Sequence, residues 1–117
     1  LSSGQRVEKR KLINGIKSRV NNDVLVLPSH NEPFRGLHER LDHLINGHER
    51  NLTRLLEFCE EPKRAVDVFS VLFKRKITSD VLLMATGESI AHLNCLIHRG
   101  LLGSKHDDEG IIRYYKL

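Results

Sequence analysis

At 117 residues the chain is long enough for one domain with a modest core and an appendage. Its 19 Lys and Arg against 15 Asp and Glu give a net charge of +4, whose meaning depends on where the cations sit. No apolar run approaches the roughly 18 to 20 residues of a membrane span and no signal-peptide pattern opens the sequence, so no membrane partner is expected. Two cysteines, Cys59 and Cys95, fall in what read as two different helices. They exclude a disulfide scaffold, read as buried small hydrophobes, and suit a reducing, cytoplasmic setting.

The charge is unevenly spread. Residues 1–36 carry seven cations (Arg6, Lys9, Arg10, Lys11, Lys17, Arg19, Arg35) against Glu8, Asp23 and Glu32, whereas residues 37–117 carry twelve of each sign. All of the basic excess therefore precedes residue 37. A helix is predicted over 5–21, with Ile13, Ile16 and Val20 on one face and the cations around the others. Asn21, Asn22 and Asp23 make a turn. Val24, Leu25, Val26 and Leu27 then form a short apolar run stopped by Pro28, the pattern of a buried strand. A helix and a single strand cannot bury their own faces. The apolar faces of 12–27 are thus expected to stand open and to offer a surface for pairing into a homodimer.

Gly36 opens a long helix predicted over 37–59. Leu37, Leu41, Leu44, Leu52, Leu55 and Cys59 recur at spacings that put them on one side. His48 lies on that stripe and reads as a hydrogen-bonded core residue. His38, His43 and His48 are five apart, which scatters them around the helix and argues against a metal site there. Glu60, Glu61 and Pro62 punctuate. A second helix is predicted over 63–74, burying Val66, Phe69, Leu72 and Phe73, although neither Lys63 nor Arg64 is a good N-cap. Lys74, Arg75 and Lys76 close it at the favourable end of the helix dipole. Thr78 and Ser79 then cap a third helix that runs to Arg99 and stops at Gly100. Its inner face is Val81, Leu82, Ala85, Leu93, Leu96 and Ile97, and Gly87 is read as marking a close helix crossing. Leu101-Leu102 and residues 111–117 make two strands around 103–110. Three helices followed by a β-hairpin wing is the order of a winged helix, so the fold class read here is α+β, mostly α.

Nucleic-acid binding by this domain is not expected. A recognition helix needs Arg, Lys, Asn or Gln near its N-terminal half to reach base edges and phosphates. From Thr78 to Ala91 there are none, while Asp80 and Glu88 are present, and the wing sets Asp107, Asp108 and Glu109 against one Lys105. Such a surface repels a polyanion.

Chemistry is carried by the run VLVLPSHNEPFRG, residues 24–36. Directly after the apolar run it presents His30 in a turn built from Pro28, Ser29, Asn31 and Pro33, where Asn31 tolerates a left-handed backbone. A histidine at the end of a strand can fill one ligand position of a metal ion, and catalytic zinc needs about three protein ligands. The longer segment VLVLPSHNEPFRGLHERLDHLINGHERNLTRLL resembles the end of a metallo-β-lactamase-fold hydrolase running into its associated C-terminal winged-helix domain. In that family the last strand is followed by a Pro-Gly-His-Gly-type turn whose histidine binds the second metal. Here the turn reads Pro28, Ser29, His30, Asn31, keeping the histidine and replacing both glycines. The family's His-x-His-x-Asp-His motif, its further histidine and its bridging aspartate are not in these residues.

The resemblance implies a division into residues 1–36, the truncated C-terminal end of the hydrolase domain with its last helix–strand unit, and residues 37–117, the winged helix. It implies that the winged helix packs on the missing N-terminal hydrolase domain and shapes substrate access. The metal would be zinc, two ions in the whole protein, with His30 as one ligand. Zinc prefers nitrogen donors and acidifies bound water for attack on a small-molecule ester, thioester or lactone, or on an amide or phosphodiester. These residues alone lack a complete active site and hold no catalytic group of their own. Only Glu32 to Gly36 separate the turn from the long helix, so Glu32, Phe34 and Arg35 are candidates for the substrate rim. The basic helix 5–21 leaves RNA open as a substrate. The other reading is a stand-alone winged-helix module for protein or nucleic-acid interaction. The partnerless strand and the His30 turn favour the hydrolase.

Overall fold

The structure, a computed structural model, describes residues 3–117, with side chains from residue 11 onward. Helix α1 spans Ser3–Arg19 and lies against the two long helices that follow, α2 (Leu37–Phe58) and α4 (Leu82–His98). Ile13 is its buried anchor among the described side chains, and Lys17 pairs with Asp42 on α2. The expected strand at 24–27 is not a buried strand. It is reduced to one antiparallel bridge, Val26 with Phe34, in which Val26 N–H donates to Phe34 O at 2.7 Å and Phe34 N–H to Val26 O at 3.1 Å. Leu25 and Leu27 are 52% and 75% exposed, so only alternate residues touch protein. The physical reason is the one anticipated: without neighbouring strands a pleated segment covers one face at most.

α2 begins within one residue of its predicted start, but its cap comes from elsewhere. Gly36 sits at φ 82° and ψ 47°, a left-handed conformation, and has no side chain to offer the helix. Asn22 supplies the cap instead. Its Oδ1 accepts from His38 N–H at 2.7 Å, its Nδ2 donates to Glu39 Oε1 at 2.9 Å, and its carbonyl accepts from Gly36 N–H at 3.2 Å. The His38 ring adds a 2.6 Å hydrogen bond to Val20 O. The connection between α1 and α2 is therefore stitched to the first turn of α2, which satisfies donors that a helix start otherwise leaves open.

The predicted second helix is shorter than expected. Ala65–Val68 is a 3-10 turn, followed by one α-helical turn, α3 (Phe69–Leu72). The weak N-cap is replaced by Asp67, whose carboxylate accepts from the Arg64 backbone N–H at 2.9 Å and pairs with the Arg64 guanidinium at 2.8 Å. Tighter winding rotates the buried position, so Val68 is fully enclosed and Val66, expected inside, is exposed. Likewise α4 starts at Leu82 and not at the expected cap. Thr78 bonds the Asp80 carboxylate within a turn closed by Val81 N–H to Thr78 O, and Leu82 faces out. Gly87 marks no crossing, since a Cβ there would meet nothing within 4 Å. The end of α4 is as expected: Gly100 has φ 76°, with Leu101 N–H returning to Leu96 O and Gly100 N–H to Ile97 O, a Schellman stop.

β1 (Leu102–His106) and β2 (Ile112–Lys116) pair antiparallel, with Ser104 opposite Tyr114. On its other side Tyr114 exchanges two backbone hydrogen bonds with Lys63, at 2.7 and 2.8 Å. Gly103 lies close under its cross-strand partner, so that a Cβ there would stand 2.7 Å from the Tyr115 ring and force the ring to move. Leu52, Leu55, Cys59, Val68, Leu93, Cys95, Leu96, Leu102 and Tyr114 form the core. Every member lies at or after residue 52, so α1 and residues 20–36 ride outside it. The radius of gyration, 16.4 Å, exceeds the roughly 13 Å of a compact chain of this size for that reason. The architecture is mostly helical α+β, with four α-helices and one two-stranded antiparallel sheet among the described residues.

The hairpin turn is pinned by Asp107. Its Oδ1 accepts from the N–H groups of Ile111 and Glu109, both at 2.9 Å, and its Oδ2 from Arg113 Nε at 3.0 Å. The Ile111 N–H above all, together with Arg113 and the Glu109 N–H, holds this carboxyl below its ordinary value of 3.8. A lowered folded-state pKa contributes stability that is complete above the ordinary value and is lost as pH falls through the lowered one. Urea midpoints are therefore expected to fall between about pH 5 and pH 3, and Asp107→Asn to flatten that fall. Equal pH profiles for the two proteins would remove Asp107 as a contributor.

Candidate functional site

The Val26–Phe34 bridge closes a loop whose tip carries His30. Asn31 takes φ 72°, the left-handed conformation expected of it, and so turns the chain directly after the histidine. His30 is exposed, and its imidazole makes no hydrogen bond among the described residues. Pro28, His30, Asn31, Glu32, Pro33 and Phe34 line one open hollow, and Arg40, from the first turns of α2, completes it. Of the four site residues read from sequence, His30, Glu32 and Phe34 are brought together. Arg35 is not: its Nη1 donates to Asp23 O at 2.6 Å, which turns it away and braces the loop. Arg40 went unnoticed in the sequence. Its guanidinium stands 5.4 Å from the centroid of the Phe34 ring, and the signal available was its place one helical turn after Gly36.

Among the described residues no group of three or more His, Cys, Asp and Glu could hold a metal ion. An exposed imidazole with no hydrogen-bond partner, in a turn closed by the Val26–Phe34 bridge, is able to fill one ligand position of a zinc ion. It does not make a site without donors from elsewhere. The His48 and His92 rings are in contact, with centroids 5.2 Å apart and planes tilted by 52°, and His92 Nδ1 lies 2.7 Å from Glu88 O. They join α2 to α4, as does Arg99, whose two Nη atoms meet the Glu49 carboxylate at 2.8 and 2.9 Å. Cys59 and Cys95 are both buried, and burial pushes the Cys59 thiol up, against a smaller opposing effect of Lys63. A protonated, enclosed thiol is a packing group. The acidic wing is partly spent as structure: Asp107 is committed to its turn, while Asp108 and Glu109 are exposed.

The fold and the turn define a small α+β domain preceded by a loop that exposes a histidine. The model of the family described as metallo-beta-lactamase-like, C-terminal domain, matches residues 52–117, the stretch that holds the core, and the chain belongs to that family. It is similar in structure to a beta-lactamase domain protein from Burkholderia ambifaria, at 36% identity and a TM-score of 0.80 over 88% of this chain. It is also similar to a metallo-beta-lactamase family protein from Thermus thermophilus, at 27% identity and a TM-score of 0.62 over 75% of this chain. The chain spans 31% and 26% of the lengths of those two proteins. Among curated proteins none matches it. It is thus a C-terminal part of a metallo-β-lactamase-fold protein, as its sequence resemblance implied. No helix among the described residues is long and apolar enough to cross a membrane.

Proposed function

We propose that these residues are the C-terminal part of a zinc-dependent metallo-β-lactamase-fold hydrolase acting on a small-molecule ester, thioester or lactone in the cytoplasm. In this reading residues 1–36 complete the hydrolase domain, and residues 37–117 are a winged helix that packs beside the metal site and shapes access to it. The observation that carries it is the joint placement of an unengaged His30 and of Phe34, Glu32 and Arg40 around one hollow, in a chain whose residues 52–117 match this family. The order α2, Lys63 bridge, 3-10 turn with α3, α4, hairpin supports the winged helix, with the Lys63–Tyr114 bridge in the place of a first, minimal strand. Leu12, Leu25, Leu27, Leu83 and Met84 stand exposed, apolar surface of the kind that a neighbouring domain covers.

Zinc, when bound, would polarise a carbonyl or phosphoryl group and acidify water. The chain's own part is to present His30 Nδ1 or Nε2 at a fixed position and to wall the hollow. The Val26–Phe34 bridge and the left-handed Asn31 hold the loop, and Arg35 ties its base to Asp23 O. Phe34 and Pro33 supply the apolar wall.

Chelation of the full-length protein tests this reading. About two zinc ions per chain are expected, with thioester or lactone hydrolysis lost on dialysis against a chelator and restored by zinc. Metal-free protein at the mass of these residues alone, or hydrolysis indifferent to chelation, would overturn it and leave an interaction module.

A further inference from the structure

The hollow around His30 contains two opposite charges that do not meet. Glu32, on the loop, and Arg40, on α2, both line it, and among the described residues neither side chain forms an ion pair or hydrogen bond. The carboxylates near Arg40 on α2 are committed elsewhere, Glu39 to Asn22 and Asp42 to Lys17. Arg40 is nevertheless held in place: its guanidinium stands over the Phe34 ring at 5.4 Å, and Phe34 is fixed by its two backbone hydrogen bonds to Val26. A guanidinium against an aromatic face keeps its edge N–H donors free in a planar fork, which matches a carboxylate in a way that a mobile lysine does not. Side-chain entropy that an arginine loses on binding is in part already lost here.

The geometry points to Arg40 as a specificity residue that recognises a carboxylate on the substrate, away from the bond that is cleaved. This rests on the hydrolase reading and names its substrate class. A carboxylate fits this arginine better than a phosphate monoester on electrostatic grounds. One arginine balances a single negative charge, whereas a phosphate monoester carries nearly two and would set the second beside Glu32. Glu32 then acts in the opposite sense, weakening carboxylate binding and favouring neutral or cationic groups.

The test uses the full-length protein and two ligands of equal shape, S-benzyl thioglycolate and S-benzyl thioglycolamide, thioethers that cannot be hydrolysed. Calorimetric titration gives the acid-to-amide affinity ratio, and the matching S-benzoyl thioesters give the same ratio in kcat/KM. Arg40→Ala is expected to lower both ratios about tenfold, Arg40→Lys to lower them less, and Glu32→Gln to raise them about threefold. Opposite shifts from the two residues are a signature that a merely structural role would not give. Ratios within about twofold of the parent in Arg40→Ala, or shifts of the same sign in Arg40→Ala and Glu32→Gln, would overturn the assignment. Failure of the hydrolase reading would look different: the thioesters would not be cleaved and zinc would be missing, while the titrations would still decide whether Arg40 reads a carboxylate.

Discussion

Replacing His30 with Ala in the full-length protein is expected to lower its zinc content from about two ions to about one and to cut kcat/KM for hydrolysis by more than about 100-fold, since loss of groups that merely orient a ligand already costs about 10- to 100-fold. The same substitution should hardly move stability. His30 is exposed and its ring makes no hydrogen bond within the described structure, and surface changes of that kind stay within about 0.5 kcal/mol. The combination is what distinguishes a ligand from a structural residue: metal analysis and kinetics change while the denaturation midpoint does not. Full zinc content with normal hydrolysis in His30→Ala would remove this residue from the site. A variant that lost both metal and folded structure would instead assign the imidazole a packing role that its exposure argues against. Arg35 serves as an internal comparison, because its hydrogen bond to Asp23 O places it outside the hollow. Its replacement should loosen the loop without directly removing a wall.

Where local chemistry decided the structure, the sequence was readable. The long helix was read over 37–59 and runs over Leu37–Phe58, because a six-residue apolar stripe and a glycine at its start both point to the same element. Gly100 was legible as a stop because a left-handed C-terminal residue favours glycine. The His30 turn was legible through Asn31, the non-glycine residue best suited to φ 72°. Features that depend on distant partners were not. The cap of α2 is Asn22, a residue in another turn altogether, and nothing local to Gly36 announces it. The second helix was read with a period of 3.6 where part of the chain winds at three residues per turn, so Val66, expected inside, is exposed and Val68 is enclosed. The run 24–27 has the composition of a buried strand, but burial needs neighbours that composition cannot supply. In the hollow, His30, Glu32 and Phe34 were adjacent in sequence and therefore visible together. Arg40 reaches it from a separate helix, and only the fold brings it to the Phe34 ring.

Leu55→Ala is expected to destabilise the protein by about 2–5 kcal/mol, out of the roughly 5–15 kcal/mol that a domain of this kind possesses. Leu55 is 0% exposed and sits in the cluster with Leu52, Cys59, Leu93 and Leu96, where α2 meets α4. Removing its isopropyl group leaves a cavity between two helices whose other contacts fix their spacing, the His48–His92 ring contact and the Arg99–Glu49 pair. Those contacts hinder collapse, which places the cost toward the upper half of the range. Leu44, on the same apolar stripe but 48% exposed, should lose under about 1 kcal/mol on the same substitution, and urea denaturation of the two variants measures the contrast directly. Equal losses would mean that α2 is buried along its whole length by something these residues do not include, as a hydrolase domain over its first half would do. The comparison is best made twice, on residues 1–117 and on the full-length protein. A cost for Leu44→Ala that is small in the first and large in the second would locate the neighbouring domain against the Leu44 face of α2.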